Sequence, residues 1–175
     1  GAIYKCSHPE HPYHSNNASG YIIREDGVVV TNYHVVALAP KETVGMLVRT
    51  YDGKCFFVGE VLAADKQNDI AIIKLKDASG LKALPICADE KVGSDVFLIT
   101  HPTSHYFMLT RGYISRYSKG FKGETILNIT ADYAKGSSGG PVINNCGSIV
   151  GMVSSTQSIS YNEIPLKSDS GSLKI

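Results

Sequence analysis

A chain of 175 residues with 43% hydrophobic and 19% charged residues is long enough to bury a core, and it is neither disordered nor fibrous. Its formal net charge of +1, without a run of Lys and Arg interleaved with aromatics, excludes charge-driven recognition of a nucleic-acid backbone. The longest apolar runs reach only about half a bilayer span, so no segment is predicted to cross a membrane.

In chain order, the first feature is "CSHPEHPYH", which groups Cys6, His8, His11 and His14 and raises a metal site. Its prolines and terminal position favour a tail, so residues 1–14 are read as an N-terminal tail and no metal is assigned. Strand-like text follows in "GYIIRE", "GVVVTN", "TVGMLVRTY", "KCFFVGEVLAA" and "IAIIKL", with Asp26-Gly27 and Asp52-Gly53 as hairpin turns. The piece "HVVALAPKE" predicts one helical turn ended by Pro40. A polar, proline-marked crossing runs from Pro85 to Gly93. Strands resume with "DVFLIT", "FMLTRGYISRY", "ETILNIT", "GPVIN" and "SIVGMVSS". His101 and His105 fall in a loop between two of these, where exposure to solvent is expected. No stretch keeps a helical apolar period for three turns, and no repeat is present. The pattern predicts two small antiparallel barrels in tandem, 15–88 and 89–167, followed by a C-terminal tail at 168–175. Cys6, Cys55, Cys87 and Cys146 form no C-x-x-C pair, which argues against a zinc ribbon and leaves disulfides open.

The stretch "DYAKGSSGGPV" asks whether Ser138 is a loop residue or a nucleophile. A serine hydroxyl needs a base to take its proton as it attacks, usually His, whose tautomer is fixed by a carboxylate. The oxyanion that develops needs backbone N–H donors in a tight turn, and small residues there leave room for the substrate carbonyl. Alone, "GSSGGP" is also compatible with a surface turn, the lesser of the two readings. Two companions decide: "VVVTNYHVV" delivers His34 at a strand end, and "NDIAIIKL" sets Asp69 directly before an alternating strand. Asp65 lies a turn too early for the same role. Ser137 is set aside because Gly-Gly must follow the nucleophile directly.

Together, "ASGYIIREDGVVVTNYHVV", "NDIAIIKL", "THPTSHYFMLTRGYIS" and "GSSGGPV" resemble a trypsin-like (chymotrypsin-fold) serine protease of the HtrA/Deg-like bacterial branch, as a protease domain without PDZ. The resemblance implies an all-β protein of two antiparallel six-stranded β-barrels with the site in the cleft between them. It implies Ser138 as nucleophile, His34 as general base, Asp69 as orienting acid, and the N–H groups of Gly136 and Ser138 as oxyanion hole. A polypeptide substrate, an acyl-enzyme, no cofactor or metal, and a secreted or periplasmic location also follow from it; the oligomeric state does not. Asp132, Ser154 and Thr156 are placed at the S1 pocket by analogy, with a small or medium apolar P1 residue favoured over Arg or Lys. Ser137 stands where secreted zymogens carry an Asp, so no activating N-terminal cleavage is expected. The competing reading is a protease-fold binding or chaperone-like module with little turnover; an esterase is a third.

Overall fold

The computed structural model describes residues 2–5, 10, 13–37, 43–102, 105–121 and 123–154. Within them run β1 (Ala2–Lys5), β2 (Tyr13–Asn16), β3 (Tyr21–Arg24), β4 (Val28–Thr31), α1 (Tyr33–Ala37), β5 (Thr43–Arg49), β6 (Cys55–Asp65) and β7 (Ile70–Leu75). The second half contributes β8 (Asp95–Thr100), β9 (Met108–Lys119), β10 (Thr125–Ile129), β11 (Pro141–Asn144) and β12 (Ile149–Met152). The strands form two antiparallel sheets, ordered β2-β1-β5-β6-β7-β4-β3 and β10-β9-β8-β11-β12. This is the all-β, two-sheet architecture expected from the strand pattern.

The strand counts depart from six and six: the first sheet has seven strands and the second has five among the described residues. All of β1 and the first half of β2 come from residues read as a tail. Ala2–Lys5 pairs with Tyr13–Asn16 on one side and with β5 on the other. "AIYK" is apolar and β-prone, but its four residues are too few to reveal a period. Cys6, His8, His11 and Pro40 lie outside the described residues, as do residues 155–175, including the C-terminal tail read at 168–175.

Each sheet covers its own core. Val29, Ile73, Leu75, Ala78 and Leu81 are buried together beneath the first; Val96, Leu98, Ile114, Ala131, Val142 and Val153 beneath the second. The run Val28–Thr31 is buried throughout because β4 sits between β3 and β7 and is covered on both faces. The segment joining the sheets is not a loose tether. It bonds to β3 through Leu84 N–H on Ile22 O (2.9 Å), then to β12, where Ile149 N–H donates to Pro85 O (2.8 Å) and Cys87 N–H to Ile149 O (2.8 Å).

Gly112, opposite Val96 in the β8–β9 ladder, lies where the chain after β10 comes close to β9. A Cβ there would lie 2.2 Å from Ala131 N and 2.7 Å from the Thr130 carbonyl carbon, backbone that cannot yield without moving the strands apart. Gly112→Ala is therefore expected to cost about 3 kcal/mol by overpacking. Urea unfolding checks this; a loss under about 1 kcal/mol would mean the approach is looser than described.

Candidate active site

β4 ends at Thr31, and the chain passes through the fully buried Asn32 into α1, which carries His34 on its first turn. Asn32 Nδ2 donates to Asp69 O (2.9 Å), tying the strand end to the turn before β7. Asp69 itself adopts φ +54°, a left-handed conformation that Asp tolerates better than most residues. The turn points its carboxylate back at His34. Oδ2 lies 2.8 Å and Oδ1 3.1 Å from His34 Nδ1, and the His34 backbone N–H donates to Oδ1 at 3.0 Å. Asp65 instead closes the turn, accepting from Gln67 N–H, Asn68 N–H and the Asn68 side chain.

A residue of the second half completes this cluster. Ser154 Oγ donates to Asp69 Oδ2 at 2.6 Å. Burial is the largest single influence on the Asp69 carboxyl and favours its neutral form. The Ser154 hydroxyl, the His34 N–H and the His34 ring together outweigh it, so the group is held below the ordinary carboxylate value. A charged Asp69 facing Nδ1 fixes the imidazole with its proton there and leaves Nε2 as an acceptor.

The turn from Ala134 to Gly140 is closed on itself. Ser137 N–H donates to Ala134 O and Gly140 N–H to Ser137 O, both at 2.9 Å. Gly136 at φ +100° and Gly139 at φ +84° take conformations that side chains resist. A Cβ on Gly139 would also sit 2.2 Å from Ser19 O. Among the described residues, neither Gly136 N–H nor Ser138 N–H donates to another protein group. The Ser138 hydroxyl and the His34 ring are not hydrogen-bonded to each other among those residues; bonds of this kind in empty sites often tighten only with substrate.

The family described as trypsin-like peptidase domain matches residues 18–152, most of the chain. The chain belongs to the trypsin-like peptidase family. It is 33% identical over 146 residues to serine protease HTRA1B of Danio rerio, covering 78% of this chain and 29% of that protein. It is 36% identical over 139 residues to a probable periplasmic serine endoprotease, DegP-like, of Halomonas elongata, covering 77% and 28%. The magnetosome formation protease MamE of Magnetospirillum gryphiswaldense is 31% identical over 144 residues, covering 78% and 18%. The chain thus spans under a third of the length of these relatives.

Of the residues assigned to the S1 pocket of this trypsin-like domain, Ser154 places its hydroxyl on Asp69. Asp132 is exposed, with its carbonyl accepting from Thr110 Oγ1 at 2.8 Å. Thr156 lies outside the described residues. A cavity of about 510 Å³ is walled by Ile22, Val29, Val48 and Ile73 of the first sheet with Ile99 and Ile143 of the second. None of His34, Asp69 and Ser138 lines it, although Ser19 and His101 do.

Two groups escaped the sequence reading. Ser137 is fully buried; its hydroxyl donates to Thr100 Oγ1 at 3.1 Å and accepts from Ala134 N–H at 3.3 Å. His101, expected in solvent, is half-buried. Its Nδ1 accepts from Phe107 N–H (2.9 Å) and its ring meets Phe107 edge-on at 4.6 Å, while Phe107 meets Tyr51 of the β5–β6 turn at 5.2 Å. No local motif announces contacts made by a separate turn.

An aspartate at 137 would enter a neutral, fully occupied site. Ser137→Asp should destabilise by about 4 kcal/mol as an unpaired buried charge, and Ser137→Ala by about 1 kcal/mol as one lost hydrogen bond. Urea titration separates the two, and equal losses would refute the neutral-pocket account. Burial also holds the His101 imidazole below its ordinary value. The unfolded chain then takes up the proton first as pH falls, so the His101 contribution is full above about 6.5 and is lost on acidification. The thermal midpoint should drop more between pH 7.5 and 5 for the wild type than for His101→Gln; parallel curves would count against it.

Proposed function

We propose that this trypsin-like domain is a serine endopeptidase working through Ser138, His34 and Asp69. The observation that carries the reading is the charged Asp69 carboxylate on His34 Nδ1, steadied by Ser154, beside a Gly-Ser-Ser-Gly-Gly turn with two uncommitted N–H donors. Ser138 Oγ attacks the peptide carbonyl carbon while His34 Nε2 takes its proton. The carbonyl oxygen becomes an oxyanion received by Gly136 N–H and Ser138 N–H. The tetrahedral species collapses to an acyl-enzyme as His34 returns the proton to the leaving amine. Water, deprotonated by the same nitrogen, then releases the acid and restores the Ser138 hydroxyl. Asp69 stays ionised and stabilises the imidazolium that forms in each step. None of these steps calls on a cofactor.

Polypeptides are the substrate class, and a small or medium apolar P1 residue fits better than Arg or Lys. Asp132 is exposed rather than enclosed where it would pair with a cation. A location outside the cytoplasm accords with the DegP-like relative, which is described as periplasmic.

A fluorophosphonate probe tests the reading, since it labels only an activated serine; a binding module would stay unlabelled. Ser138→Ala should abolish labelling and lower kcat for peptide hydrolysis by ~10⁶, with little further loss on adding His34→Ala because both serve one proton-coupled step. Asp69→Asn should cost ~10⁴ near neutral pH through the wrong imidazole tautomer. Multiplying losses for the first pair, or ordinary activity in Asp69→Asn, would overturn the assignment.

A further inference from the structure

Ser19 precedes β3 in the first half of the chain, is buried, and sends its hydroxyl and its backbone N–H to partners in the second half. Its hydroxyl donates to Gly136 O at 2.9 Å and its backbone N–H donates to Ser138 O at 2.8 Å. Those two carbonyls flank the peptide that presents Ser138 N–H. The far ends of the same peptide units are also held, Ser137 N–H by Ala134 O and Gly139 N–H by Val153 O at 2.8 Å. Ser19 is itself fixed: its oxygen accepts from His101 N–H at 3.1 Å, and its carbonyl accepts from Thr31 Oγ1 at 2.8 Å. Because the hydroxyl lone pair is engaged by His101, its single proton is directed at Gly136 O.

We propose that Ser19 is a positioning residue for the oxyanion turn: its hydroxyl fixes the 136–137 peptide, and through it the direction of the Gly136 and Ser138 N–H groups. The physical need is specific. Gly136, at φ +100° and without a Cβ, can rotate its following peptide at little steric cost. An oxyanion hole works only when its donors are already aimed. The turn's own bonds hold the N–H end of that peptide, and Ser19, from the other sheet, holds the carbonyl end. The turn is therefore locked only while the two halves of the domain are in register, and the His101 backbone N–H shares the same hydroxyl. This role rests on the serine-peptidase reading above.

The test compares wild type, Ser19→Ala and Ser19→Cys by the second-order rate of inactivation with a fluorophosphonate, from pH 5 to 9, alongside thermal midpoints. Ser19→Ala should react ~10- to 100-fold more slowly, part of the cost of losing an oxyanion donor. The pH of half-maximal rate should stay unchanged, since the His34–Asp69 pair is untouched. Ser19→Cys, with a weaker donor, should fall between, and it carries the test if the Ala variant does not fold. A rate within twofold of wild type, a shifted pH midpoint, or a slowing that disappears well below the variant's thermal midpoint would overturn the role, the last by revealing a purely structural effect. A wild type that is not labelled would overturn the peptidase reading and Ser19's role with it; a labelled wild type with unaltered Ser19 variants overturns only the role of Ser19.

Discussion

A carboxylate that must stay charged while partly removed from water sets the terms for the rest of this molecule. Asp69 meets that demand with donors drawn from three places: the start of α1, the imidazole it orients, and Ser154 just beyond β12. Each donor requires a piece of architecture. The helix start needs β4 buried and ended by Asn32; Ser154 needs the second sheet laid against the first. Two sheets, each with its own apolar core, are thereby joined at a polar seam.

The same seam serves the turn that carries Ser138. Ser19 from the first half donates to two of its carbonyls, Thr31 lies close against Gly139, and Thr100 Oγ1 accepts from the hydroxyl of Ser137. The turn is neutral throughout its buried part. Its shape is held by hydrogen bonds and by glycines that admit close approach, so no ion pair is needed to brace it.

What the sequence disclosed was chiefly local. His34, Asp69 and Ser138 stand in short motifs whose strand, turn and glycine content can be read without knowing what lies opposite. Asp65 and Asp69 were separable because only one of them abuts the alternating strand. Ser154 stands at the S1 pocket by analogy alone, and its place in the chain does not tell that its hydroxyl meets Asp69, 85 residues away. Ser19 stands in the quoted "ASGYIIREDGVVVTNYHVV" with nothing beside it to show that the partners of its hydroxyl lie more than eighty residues away. His101 reads as a solvent-exposed loop residue because nothing in "THPTSHYFML" shows that Tyr106 and Phe107 come back onto its ring. The first strand was lost in a short, histidine-marked end, since four residues cannot establish a period.

The segment linking the sheets carries a consequence for how the chain divides. Pro85 and Cys87 supply the backbone partners of Ile149, so the last described strand of the second sheet is bordered by residues that come before its first strand. Those partners lie on the N-terminal side of the 88/89 boundary suggested by composition. Division there would strip Ile149 of its neighbour and leave the first half with an unpaired edge. The two pieces would be cohesive ends of one molecule, suited to non-covalent fragment complementation, with the interlock between them rather than either piece as the unit that folds.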